Sequence, residues 1–155
     1  MPANITIPEV ENFRLEELDK RLGVSTEEKT TVDIKQGTVW ENSKRSKLFS
    51  TIKTEIYQDK NTETRIYDLP FYSLILEEIY LTLVGCNLTV GKKAELLFKF
   101  AQSPRGPYLD MNRRQFDDAV GLLDDETLSE IHEKVLEVNP HWSWLAGDLN
   151  LGEDG

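Results

Sequence analysis

The feature that most constrains the fold is the run at residues 71–84, FYSLILEEIYLTLV, whose only charges are Glu77 and Glu78. Read as a helix it is apolar on more than one side, so the rest of the chain has to surround it. It is too short to span a bilayer and carries two carboxylates. It therefore predicts the central, most buried helix of a folded protein. Asp68 and Pro70 supply a cap and an early proline for its start, and Gly85 is expected to end it.

Most of the remaining apolar periodicity is also helical. Residues 14–22 (RLEELDKRL) put Leu15, Leu18 and Leu22 on one stripe, with Gly23 as the stop. Thr38 and Glu41 fit a capping box opening a helix over residues 39–57, with Trp40, Leu48, Phe49, Ile52 and Ile56 on its inner face. After a short loop, residues 91–102 read as another helix. Residues 103–107 (SPRGP) form the clearest loop in the chain. Two acidic helices follow, over 111–123 (Phe116, Val120 and Leu123 inward) and over 126–138 (Leu128, Ile131, Val135 and Val138 inward). Asp124 and Asp125 favour the start of the second, and Pro140 stops it. Only Thr31-Val-Asp-Ile-Lys35 alternates like a strand before Gly37 breaks it. The expected fold is mainly α: a helical bundle of four to six helices with a short β accessory near residues 30–36. Residues 1–13 read as a flexible N-terminal arm, 14–145 as a single helical domain, and 146–155 as a flexible acidic tail.

Composition narrows the function. A chain of 155 residues, 39% hydrophobic and 30% charged, can bury a core without disulfides or metals. Its one cysteine, Cys86, lies in an apolar neighbourhood and reads as a buried, inert thiol. The first ten residues hold neither the basic region nor the apolar run of a secretory leader, which predicts a cytoplasmic protein. A net charge of −10 argues against direct binding to a nucleic-acid backbone or an anionic membrane. The charge is uneven: residues 40–60 hold five basic and three acidic side chains, and residues 109–139 hold nine acidic and three basic. Two solvated helical faces explain this layout, and it is also compatible with orienting a partner or a second copy in a homo-oligomer.

The residues that carry chemistry elsewhere are sparse here. His132 lies among Glu130, Glu133 and Glu137, but its i+4 neighbour is Leu136, so a metal pair at helical spacing is lacking. Cys86 has no nearby histidine, and no phosphate loop, dinucleotide fingerprint or EF-hand spacing occurs. Adjacent carboxylates at Asp117-Asp118 and Asp124-Asp125 point about 100° apart on a helix, which suits capping and solubility better than glycoside chemistry. No enzyme, metal or cofactor is expected. What stands out is Asn139-Pro-His-Trp-Ser-Trp144, two tryptophans just after a helix stop. Trp142 either folds back to plug the core or stands out as an interface anchor, and Trp144 presents the same alternative. Trp40, in the first turn of its helix, reads as core.

Three features resemble the tail assembly chaperones of long-tailed bacteriophages. They are a strand running into Gly-Thr-Val at a helix start (Val32-Asp-Ile-Lys-Gln-Gly-Thr-Val-Trp40), a central helical region with a plain core, and an acidic helix ending in Leu136-Glu-Val-Asn-Pro-His-Trp142 before a polar tail. The resemblance implies a small acidic adaptor that coats the tape-measure protein, keeps its apolar helices soluble and recruits tail-tube subunits in the bacterial host. It would place partner-binding anchors at Trp142 and Trp144, a second patch at Trp40, Leu48 and Ile52, and a groove edge at residues 103–107. Two other readings compete: a structural component of the particle, such as a connector or tail-completion protein, and an acidic mimic of nucleic acid that occupies a basic cleft.

Overall fold

The computed structural model describes residues 1–58, 63–90 and 98–143, with the backbone alone at 52–58 and 63–71. Regular structure begins with a strand. β1 (Val10–Arg14) pairs antiparallel with β2 (Thr31–Lys35), and β2 pairs antiparallel with β3 (Leu83–Cys86), giving a sheet in the order β1-β2-β3. Between the first two strands, α1 (Glu16–Leu22) ends at Gly23 and a short 3-10 turn (Thr26–Glu28) leads back to the sheet. Two long helices follow β2: α2 (Val39–Gln58) and α3 (Glu63–Thr82), the second running directly into β3. A hairpin of β4 (Phe100–Ser103) and β5 (Gly106–Leu109) forms a second sheet, and α4 (Arg113–Val120) and α5 (Asp125–Val138) complete the fold before a 3-10 turn at Pro140–Trp142.

The architecture is therefore mixed α/β, with five strands and five α-helices among the described residues, and not the mainly α bundle that the periodicity predicts. The physical reasons are local. In β1 only Phe13 faces the core, opposite Val32, while Asn12 pairs across the outer face with Asp33, so no run of alternating apolar residues marks the strand. The last residues read as an N-terminal arm thus belong to this sheet. β3 continues the apolar run of α3 without a break in composition. Gly85, expected as a helix stop, lies inside β3 opposite Asp33, where a Cβ would come 2.1 Å from the Asp33 carboxylate. The segment 91–102 fails differently: Phe100–Ser103 is a strand, and residues 91–97 lie outside the described ones. The clearest loop is the tip of the hairpin, where Ser103 Oγ accepts from the Arg105 amide (3.1 Å) and donates to the Gly106 carbonyl (3.0 Å). α3 also starts earlier than Asp68 suggests, so Pro70 lies within it.

The core sits between the inner face of the first sheet and the helices. Val32 and Ile34 from β2 are fully buried with Leu15, Ile79, Phe116 and Val135. Tyr80, Phe116 and Phe98 pack edge to face, with centroids 5.0 and 6.4 Å apart. Several buried carboxylates serve as braces. Glu130 on α5 accepts from the Glu17 and Leu18 amides (2.9 and 3.0 Å), satisfying the first turn of α1 from outside that helix. Asp19 accepts from the Thr30 amide and pairs with Arg14 at 3.0 Å. No described helix is long and apolar enough to cross a membrane.

Candidate functional site

The start of α2 is fixed by residues nearly a hundred positions away. The buried Asn139 side chain accepts from the Gly37 amide (2.7 Å) and donates to the Lys35 and Val135 carbonyls (3.2 and 3.1 Å), tying the β2–α2 link to the end of α5. Asn42 Oδ1 accepts from the Trp142 indole at 2.6 Å, and His141 Nε2 lies 3.0 Å from the same oxygen. Trp142 packs so closely on the link that a Cβ at Gly37 would come 2.8 Å from its ring, which calls for glycine there. The inner face of α2 is consequently polar. Arg45 donates to Glu78 Oε2 (2.8 Å) and to the Trp142 carbonyl (2.9 Å), and His132 Nε2 meets Glu78 Oε1 at 2.5 Å. Arg45, Glu78 and His132 are all buried. Each Glu78 oxygen has a cationic or hydrogen-bonding partner, which is what a buried carboxylate requires.

With the polar face of α2 turned inward, Trp40 is turned out. It is 55% exposed, against 1% for Trp142. It stands at a cleft of about 450 Å3 between the first turns of α2 and the β4–β5 hairpin, lined also by Lys35, Glu41, Lys44, Arg105 and Tyr108. Lys44 Nζ lies 4.7 Å from the Trp40 ring centroid and Arg105 Cζ lies 5.4 Å from it. Glu41 is the one carboxylate among the described residues that line the cleft, and it is already engaged: Lys35 reaches it at 2.5 Å and the Thr38 hydroxyl donates to it at 2.6 Å. Burial would raise the Glu41 carboxyl, yet the Lys35 and Thr38 hydrogen bonds and the lysine charge hold it below its ordinary 4.5. Lys44 and Arg105 make no ion pair among the described residues. The cleft thus has an aromatic surface under two cations that no described carboxylate compensates, in a chain whose net charge is −10. A second hollow of about 230 Å3 adjoins it past Arg105, walled by Ile5, Ile7 and Val10.

The expected anchors are dispersed. Trp142 is 1% exposed and its indole donates to Asn42, so its ring braces α2 from within the core. Trp40, expected inside, is outside because Glu41 and Arg45 occupy the inward positions of its helix. Leu48 is half-buried, while the Ile52 side chain and Trp144 lie outside the described residues. Residues 103–107 form one wall of the cleft. Sequence reasoning did not single out Lys44 or Tyr108, and reached Arg105 only as part of the groove edge at residues 103–107. The i,i+4 spacing of Trp40 and Lys44 was a usable signal; the meeting of Arg105 with Trp40 is a fold contact that brings the hairpin to α2.

Among the described residues no three His, Cys, Asp or Glu side chains converge to hold a metal. Burial pushes the Cys86 thiol up to about 11, leaving it protonated at neutral pH. The central core is not plain, since the Arg45–Glu78–His132 cluster crosses it. No family model matches the chain, and neither does any curated protein or solved structure.

Proposed function

We propose that this chain is a protein-binding adaptor that takes its partner in the Trp40 cleft. The observation that carries this reading is an indole 55% exposed, flanked by Lys44 and Arg105 and backed by a helix that Asn42, Asn139 and Trp142 hold in place. Tryptophan and arginine are over-represented among the residues that dominate binding energy, and a rigid backing lowers the ordering cost of association. Exposed Ile5 and Ile7, in the adjoining hollow, extend the apolar area next to the cleft. The narrower form of the proposal, a phage tail assembly chaperone acting on tape-measure helices and tail-tube subunits, is supported only by the motifs Val32–Trp40 and Leu136–Trp142.

The experiment is a selection of displayed random peptides on the purified chain and, in parallel, on Trp40→Ala. The proposal expects families of related peptides on the wild-type chain and their loss on the variant, with both proteins melting alike. Failure to enrich any family, or enrichment indifferent to Trp40, would contradict it.

A further inference from the structure

The charge and lining of the cleft limit what can occupy it, and any assignment of that occupant rests on the reading of the cleft as a protein-binding site. Its lining carboxylate is neutralised internally, so the charge it presents is that of Lys44 and Arg105. Two cations held near one indole repel each other, and the ring's negative face offsets that only in part. An anion placed between them would relieve the repulsion. The surroundings limit which anion fits. The surface along α4 and the start of α5 is strongly acidic, with Asp117, Asp118, Asp124, Asp125 and Glu126 exposed there, and the chain as a whole carries −10. A long polyanion such as nucleic acid would gain at the cleft and be repelled by the α4–α5 face and by the net charge of the chain. A short segment that meets the chain only at the cleft avoids that penalty. The cleft also has an apolar part, to which Leu81 contributes along with Trp40, Tyr80 and Tyr108. A bare anion would leave that part uncovered.

We infer that the occupant is a short acidic segment of a partner protein, with carboxylates against Lys44 and Arg105 and an apolar side chain on Trp40 and Tyr108. Charge complementarity of this kind sets selectivity and the rate of encounter. It also makes binding depend on salt.

The test uses the full chain and three label-free calorimetric titrations. The probes are a short peptide alternating Asp or Glu with Leu, the same peptide with Asn and Gln replacing the acids, and a single-stranded oligothymidylate. The inference expects the acidic peptide to bind, the neutral one to bind roughly tenfold more weakly or worse, and added salt to narrow the gap. Charge reversal at both Lys44→Glu and Arg105→Glu should invert the preference between the peptides. These side chains are at the surface, and circular dichroism checks that the variant stays folded. Equal binding of both peptides, lost together in Trp40→Ala, would overturn the acidic preference and leave the cleft as the binding site. Acidic-peptide binding that Trp40→Ala and the charge reversals leave unchanged would overturn the site itself. Tighter binding of the oligothymidylate than of the peptide, or no peptide binding at any salt, would also overturn the inference.

Discussion

Trp142 and Trp40 both lie at the start of α2, and they do opposite work. The Trp142 ring is sealed beneath Gly37, its indole N–H is taken by Asn42 and its carbonyl by Arg45. Every polar atom that burial would penalise has a partner, so the residue is complete within the fold. The Trp40 ring is more than half exposed, and the cations above it have no counter-ion among the described residues. One tryptophan closes the structure and the other leaves it open to something else. An aromatic residue is informative about function when its surroundings are unfinished, and its size alone does not say which case applies.

The sharpest way to break this comparison is at the buried charge cluster that turns the polar side of α2 inward. Glu78→Ala would strand Arg45 in the interior, and a loss of about 3–5 kcal/mol is expected in urea denaturation. A loss under about 1 kcal/mol would mean that water reaches the cluster. Trp142→Ala removes a fully buried indole and leaves Asn42 and Gly37 facing a cavity. A loss of similar size, about 3–5 kcal/mol, is expected by the same measurement. Asn42→Ala keeps the ring but deprives its buried N–H of an acceptor, which should cost about 1–3 kcal/mol.

Acid sharpens the contrast further. Asp19, despite a burial penalty, is held below its ordinary 3.8 by hydrogen bonds from Thr30 and by Arg14, and Glu41 is held below its ordinary 4.5. Both carboxyls have folded values lower than unfolded ones. Their contribution is therefore fully present above the ordinary carboxylate range and is lost as pH falls through the depressed folded values. Unfolding midpoints measured from neutral pH downward should stay level and then drop below that range, with a shallower drop in Glu41→Gln. The smallest effect on stability is expected at the cleft itself. Trp40→Ala should change unfolding free energy by no more than about 0.5 kcal/mol, and a larger loss would place Trp40 in the same class as Trp142.

How much of this was legible in the sequence depends on the range of the interactions. Thr31-Val-Asp-Ile-Lys35 alternates because one face of β2 is core and the other is not, and the helix after Thr38 is marked by its length, while the expected capping box is replaced by a hydrogen bond from the Thr38 hydroxyl to the Glu41 carboxylate. β1 and β3 left no such mark: the first has one inward apolar residue, and the second is chemically continuous with α3. The two tryptophans are alike in sequence, each at a helix end. What separates them are contacts across about a hundred residues, from Asn42 and Arg45 to Trp142 and from Gly37 to Asn139. The cleft was half visible, in Trp40 and the loop at residues 103–107. Its charge was hidden, because only the fold shows that Glu41 is spent on Lys35 while Lys44 and Arg105 pair with no described carboxylate.

The most direct test of the contrast between the two tryptophans tracks their indole N–H signals in a nitrogen-15 correlation spectrum as the acidic peptide is added, with assignments from single Trp→Phe variants. The account predicts that the Trp40 signal moves in a saturable way while the Trp142 signal stays in place. Movement of Trp142 with Trp40 unchanged would contradict it, placing recognition at the buried tryptophan and leaving the cleft without a role.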